Sequence, residues 1–292
     1  MSTLVIAFDG LDYELIKEFD LEHIPQKEFG KIDNHTRVTQ IVTSELFASF
    51  ITGKTHEVHG VKSLVKWSNP RIEMFEKKVE GSRFFDKFRQ LREAIFESIN
   101  ELNAQKRKYR REDLHCETIF EKLEESRAMF VPAYNPSIFW VVGADLEPIK
   151  YGYSLEETAD HLDTRDYRYR KETLFSQLEN EFVEPRDFLM CHFHRPDTYQ
   201  HLFGDEHIGI LDKERLRPMY EEMDQLAEQI RKKAEEKGYD RIIFMSDHGL
   251  PAKGAGHNKN AFYSCNKELF GDEEPHITDF YNEIIKGEKN GK

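Results

Sequence analysis

Apolar residues in this chain recur at two spacings, and the alternation between those spacings predicts strands alternating with helices. Thr3 to Phe8 is a short continuous apolar run that stops at Asp9-Gly10, as a buried parallel strand stops at a tight turn. DFLMCHF ahead of the HRPD segment, and Arg241 to Met245 ahead of SDH, repeat that pattern. Elsewhere the period is helical. Met219, Met223, Leu226 and Ile230 share one face of a helix expected from about Leu216 to Lys237, with Gly238 as its C-cap. TQIVTSELFASFITGKTHEVHGV passes from a strand into a helix that begins near Thr43 and ends by Gly53. CETIFEKLEESRAMFVPAYNP reads as helix, turn and a strand at Ala128 to Ala133, residues 154 to 182 as a polar helix, and the stretch beyond Asn266 as a short terminal helix with a frayed tail. Such alternation implies a mainly parallel sheet covered by helices.

One helix stands outside that rhythm. Phe84, Phe88, Leu91, Ile95, Ile99 and Leu102 predict a long amphipathic helix from roughly Ser82 to Arg111. Residues of about 64 to 112 therefore read as a small helical insertion in a single α/β domain spanning 1–292. The basic end of that helix, KRKYRR at 106 to 111, is expected to be a solvated face.

Composition narrows the functional classes. Of 292 residues, 38% are hydrophobic and 33% charged, with a formal net charge of -13, which disfavours broad attraction to nucleic acid or an anionic membrane. An anionic substrate then requires a locally positive site, and bound cations provide one. Cys116, Cys191 and Cys265 are odd in number and far apart, with no CxxC, which suggests a reduced intracellular protein. The start of the chain carries no basic n-region or small-residue cleavage site, and no apolar run approaches membrane-spanning length, so a cytoplasmic location is expected.

Four segments carry side chains suited to metal chemistry, and those with an acid follow the strand-like runs. Asp9 ends the first run; Asp197 and His201 are four apart in HRPDTYQH, on one side of a helical turn; Asp247 and His248 end the RIIFM run; His257 follows a Lys-Gly-Ala-Gly loop. Thr43 opens a helix whose first-turn amides favour anions. Gly249 is expected to supply the positive φ that turns Asp247 and His248 toward one site. Taken singly, each has an ordinary reading: Asp197 as a helix N-cap, Asp247-His248 as a polar turn, His257 as an exposed loop histidine. Together they sit at the carboxyl edge of one predicted sheet, where open α/β sheets bind ligands.

IAFDGLD, TSELFASFITGKTHEVHGV, FHRPDTYQHLFG, MSDHGL and GAGHNKNAF, in that order, resemble the alkaline phosphatase superfamily, and within it the type I phosphodiesterase/nucleotide pyrophosphatase branch. The resemblance implies a three-layer α/β/α sandwich and two metal sites. In one, Asp197, His201 and His257 hold an ion; in the other, Asp9, Asp247, His248 and the Thr43 oxygen. Mixed oxygen and imidazole donors suit Zn²⁺, with Mn²⁺ or Fe²⁺ as alternatives. It further implies hydrolysis of a small phosphate ester, of the phosphodiester or nucleotide pyrophosphate type, through a phosphothreonine on Thr43, Ser44 being one position out of register. The chain departs from the branch at Ser44-Glu45-Leu46, where relatives that cleave nucleotide diesters often carry Phe-Pro-Asn. That departure removes an amide donor and adds a carboxylate, for which Lys54, Arg195, Lys253 and Lys259 are candidate compensating cations. His59 is a candidate support for the nucleophile loop. A phosphomonoesterase, or a metal-binding scaffold without catalysis, are the competing readings.

Overall fold

Phe8 and Phe193 lie opposite each other at the ends of two parallel strands, and Met245 lies opposite Ala7 on the other side, so three strands finish at one edge. The structure, a computed structural model, describes residues 1–68, 106–136, 154–203, 212–252 and 256–289. In chain order its elements are β1 (Thr3–Phe8), α1 (Tyr13–Glu18), β2 (Glu28–Lys31), α2 (Thr43–Thr52), α3 (His56–His59), β3 (Val65–Trp67), β4 (Lys106–Lys108), α4 (Ile119–Lys122), β5 (Ser126–Met129), α5 (Leu155–Leu178), β6 (Phe188–Phe193), α6 (Arg195–Phe203), α7 (Lys213–Lys237), β7 (Arg241–Met245), β8 (Pro251–Ala252), β9 (Gly256–His257), β10 (Phe262–Cys265) and α8 (Asp279–Lys289).

The central sheet has the order β2-β10-β7-β1-β6-β5. Its strands β7, β1, β6 and β5 pair in parallel, and β10 runs antiparallel to both of its neighbours. The period of two along β1 divides the core. Leu4, Ile6 and Phe8 face one hydrophobic cluster shared with α1, α5 and α7, while Val5 and Ala7 face a second cluster shared with α2, α4 and α8. Helices on both faces make the expected three layers, and burial on both sides explains why β1 reads as an uninterrupted apolar run. Among the described residues no helix is long and apolar enough to cross a membrane.

Two expected elements are corrected at their ends. The helix predicted to reach Arg111 does not include residues 106–108, which form β4 and pair antiparallel with β3. Lys106 and Arg110 are exposed as expected, but the run is not a helix face, and Arg107 donates to both oxygens of buried Asp113, at 2.6 and 2.8 Å, with Lys66 donating to it at 3.0 Å. The rest of that predicted helix, including Phe84 to Leu102, lies outside the described residues, as does the interior of the 64 to 112 insertion. The strand expected at Ala128 to Ala133 is instead Ser126–Met129, because Phe130 (φ 62°) and Ala133 (φ 61°) adopt left-handed backbone that no strand accommodates.

Candidate metal centre

The residues that follow the three coterminal strands converge. Asp9 extends β1 by one step, its N–H donating to the Phe193 carbonyl at 2.8 Å. Gly10 follows at φ 74°, and a Cβ there would meet Gln200 Oε1 at 2.9 Å and Asp197 Oδ1 at 3.2 Å. Glycine thus lets α6 approach the end of β1 and bring Asp197 beside Asp9. Asn34 Nδ2 donates to the Asp247 carbonyl at 2.7 Å and fixes the turn after β7. Gly249 corrects an expectation: it is not among the residues at positive φ, and its need is space, since a Cβ would stand 2.2 Å from Asp12 Oδ2.

Asp12 ties these turns together. Buried at the start of α1, its carboxylate caps the helix through the Glu14 and Leu15 N–H groups. It also accepts from Leu250 N at 3.2 Å, Asn258 Nδ2 at 2.9 Å and Asn260 Nδ2 at 3.1 Å. One side chain therefore braces the segments carrying Asp9, Asp247, His248 and His257.

Two donor sets result. In the outer set, Asp197 Oδ1 lies 3.4 Å from both His201 Nε2 and His257 Nε2, which are 3.2 Å from each other. In the inner set, His248 Nε2 lies 3.2 Å from Asp9 Oδ1, 3.2 Å from Thr43 Oγ1 and 3.4 Å from Asp247 Oδ2, and Thr43 Oγ1 lies 3.4 Å from Asp9 Oδ1. For bonds of about 2.0–2.1 Å to a tetrahedral Zn²⁺, donors stand about 3.3 Å apart along a tetrahedron edge. Both sets match that spacing. Asp197 Oδ1 and Asp247 Oδ2 are buried without a hydrogen bond, one facing each set, so the residues present fit a pair of cations. His248 and His257 stack at 3.6 Å and join the sets.

Electrostatics point the same way. Burial pushes Asp247 up to about 8; the Asp9 and Asp197 charges add to this, and His248 offsets it only in part. Burial also opposes charge on His248, yet Asp247, Asp9 and Asp197 outweigh it and raise the imidazole to about 10. Despite the same burial, the surrounding imidazoles hold Asp9 and Asp197 far below the usual carboxylate range. Three acids this close in low dielectric require compensating positive charge, as protons or as cations.

The structure thus brings Asp9, Thr43, Asp197, His201, Asp247, His248 and His257 together. It separates Thr43 from Ser44, whose hydroxyl donates to the Leu64 carbonyl at 3.1 Å. His59 supports α2: its Nδ1 accepts from Val61 N at 3.1 Å, which leaves the proton on Nε2 to donate to Ser49 Oγ at 3.1 Å. Two of the expected substrate cations stand apart from the donor sets or already have a partner. Lys54 lies beyond the far end of α2, about 15 Å from Thr43 along the ten-residue axis, and the Arg195 guanidinium is held by Glu222 at 2.8 Å over the Tyr167 ring. Lys259 is exposed, and Lys253 lies outside the described residues. Glu45 is turned into the protein, accepting from Thr39 N at 2.6 Å with His56 Nδ1 3.3 Å away, and burial raises its pKa.

His192, His194 and Asp12 join the site without having stood out in the sequence. His194 Nε2 stands 3.8 Å from Asp9 Oδ2 and 3.4 Å from Asp197 Oδ2, a third and looser cluster. His192 is a buried polar residue in the apolar strand β6, and that break in pattern was its available signal.

The family model described as Type I phosphodiesterase / nucleotide pyrophosphatase matches residues 3–259. Solved structures of the murine and human ectonucleotide pyrophosphatase/phosphodiesterase 5 align with TM-scores of 0.47 and 0.46 at 13% and 14% identity, each covering 85% of this chain. An inactive variant of the murine protein in complex with AMP aligns equally, with a TM-score of 0.47 and 13% identity. This chain spans 57% of the length of each of those chains. No curated protein sequence matches it significantly.

Proposed function

The chain belongs to the type I phosphodiesterase/nucleotide pyrophosphatase family, and from that premise we propose a metal-dependent hydrolase of phosphodiester or nucleotide pyrophosphate substrates, acting through two cations and a phosphothreonine on Thr43. The observation that carries this reading is the tetrahedral-edge spacing of the two donor sets, 3.2–3.4 Å throughout, with Thr43 Oγ1 inside the inner one. Zn²⁺ suits the mixed oxygen and imidazole donors, and Mn²⁺ and Fe²⁺ are compatible with them. When bound, the ions neutralise phosphoryl charge and lower the hydroxyl pKa.

Thr43 Oγ1 attacks phosphorus in line; the new O–P bond forms as the ester P–O bond breaks and the leaving alcohol takes the proton. Water then cleaves the Thr43–phosphorus bond, restoring the hydroxyl and releasing the phosphate product. The α2 N-terminus has no side-chain cap, so its first-turn amides favour the anionic phosphoryl group beside Thr43. Asp9, Asp247 and His248 hold the geometry around the nucleophile, and His201, the most exposed of the donors, faces the water that enters.

The test is turnover of bis-p-nitrophenyl phosphate against p-nitrophenyl phosphate by metal-analysed protein. Preferred diester cleavage that is lost in Thr43→Ala is the expected result. A monoester preference would move the substrate class, and two bound ions without turnover of any phosphate ester would make the chain a scaffold. Protein that takes up no divalent cation would end the reading altogether.

A further inference from the structure

Behind Asp9 lies a buried chain of groups contributed by α5, a helix whose sequence pattern suggests nothing beyond polarity. Arg170 is 1% exposed and is the largest fully buried side chain described. Its Nε donates to Asp166 Oδ2 at 2.7 Å one turn earlier, and Phe130 covers the guanidinium at 5.2 Å. The remaining edge faces β6: Nη1 donates to the His192 carbonyl at 2.6 Å and stands 2.9 Å from His192 Nδ1.

A buried arginine is costly, so its contacts decide what it is for. A guanidinium has five donors and no acceptor. Nδ1 of His192 must therefore accept, which leaves the imidazole's single proton on Nε2. That atom lies 3.2 Å from Asp9 Oδ2, and each of the two is buried without another hydrogen bond. Phe47 of α2 packs edge-on against the ring at 4.9 Å and holds its plane. The other Asp9 oxygen, Oδ1, faces Thr43 Oγ1 and His248 Nε2.

We propose that Arg170 is a positioning residue for the inner metal site: it fixes His192 as the Nε2–H tautomer, which occupies Asp9 Oδ2 and commits Asp9 Oδ1 to the cation beside Thr43. The same device withholds Asp9 from the looser cluster with His194 and Asp197. The proposal rests on reading Asp9 as a metal ligand, and its test separates the two claims.

Two measurements on Zn²⁺-loaded protein are needed: the His192 tautomer, from two-bond ¹H–¹⁵N correlations assigned by comparison with His192→Gln, and the affinity of each Zn²⁺ by chelator competition. Wild type is expected to hold two Zn²⁺ and show the Nε2–H form. Arg170→Met should mix the tautomers and weaken one Zn²⁺ by about 10–100-fold, leaving the other unchanged, while Arg170→Lys, which retains a donor, largely restores both. A glutamine at 192 carries its N–H without tautomer choice, so adding Arg170→Met to His192→Gln should cost less than about 3-fold. Should Arg170→Met fail to fold, His192→Gln against His192→Leu carries the comparison, with only leucine weakening the inner ion. The proposal is overturned by an Nδ1–H form in wild type, by equal weakening of both ions, or by the same loss with glutamine at 192. Wild type that binds no Zn²⁺ removes the underlying metal reading instead, whatever the tautomer.

Discussion

The donor set around Thr43 and the set around His201 use the same chemistry at the same spacing, and differ in how the chain holds them. Asp9, Asp247 and His248 are 0% exposed and follow the ends of β1 and β7, in the centre of the sheet. Each is tied from behind: Asp9 by its backbone to β6 and by His192, Asp247 by Asn34 and Gly10 N, His248 by the Gly249 carbonyl. The outer set hangs on lighter supports. His201 is 40% exposed on α6, and His257 sits in the two-residue strand β9 with Ile41 O at 3.4 Å from its Nδ1. Where supporting groups are numerous a ligand is preorganised, and where they are few, local opening costs little. On the proposed two-cation reading, the inner ion should therefore be held tightly beside Thr43, and the outer one should exchange with solvent.

The largest effect that tests this division is removal of the inner hydroxyl. Thr43→Ala should lower kcat/KM for a diester by at least about 10³-fold, some 4 kcal/mol of barrier, while metal content stays at two ions per chain. Single-turnover kinetics with metal analysis checks both; substantial residual turnover would move the nucleophile elsewhere.

Next in size is the outer ion. His201→Ala should weaken one of the two ions by about 10–100-fold and leave the other in place, so that chelator titration separates into two well-resolved steps. If the first ion to leave the wild type were instead the one sensitive to Asp247→Ala, the inner-tight, outer-loose division would be reversed.

Of the seven candidate donors, Asp9, Asp197, Asp247 and His248 are legible in the sequence because they follow the apolar runs β1, β6 and β7, and Thr43 because it opens α2. His201 is legible only by its spacing from Asp197, and His257 lies in two-residue β9 with no apolar period beside it. Their division into tight and loose is not legible, because it depends on groups remote in sequence. Asp12 reaches Leu250, Asn258 and Asn260 across more than two hundred residues, and Arg170 reaches His192 from a helix with no periodic apolar face strong enough to mark its buried residues. Gly249 answers a need for space rather than for positive φ, and the two look alike in a one-letter code. Lys54 and Arg195 are candidates by charge alone, and neither the length of α2 nor the Glu222 pair is visible in the sequence. Hydrophobic period fixes elements, whereas second contacts depend on three-dimensional packing.

A smaller effect probes what the halves share. Asp12→Asn keeps the volume but replaces one acceptor oxygen by an amide, so it should cost about 1–2 kcal/mol of stability and weaken both ions together. Urea denaturation of the metal-free protein and chelator competition on the loaded one check the two parts. An effect confined to a single ion would mean that Asp12 braces only one half.

The smallest effect concerns the helix that presents Thr43. Burial pushes His59 down to about 4 from an ordinary 6.5, and its neutral Nε2–H clamps α2 at Ser49. As pH falls below 6.5 the unfolded chain protonates this residue and the folded one does not, so the unfolded state binds more protons. Stability therefore falls through the window from 6.5 to about 4 and is indifferent to this group below it. One such histidine contributes a slope approaching about 1 kcal/mol per pH unit. His59→Phe should remove that slope from the pH profile of urea denaturation even though the variant is less stable throughout. The helix of the outer set is held by different groups, Gln200 donating to the Gly10 carbonyl at 2.6 Å and Thr198 facing His194 at 3.2 Å, so the same substitution should leave the outer ion's affinity at fixed pH untouched; a change there would show that α2 and α6 respond as one unit and that the two halves are not separately held.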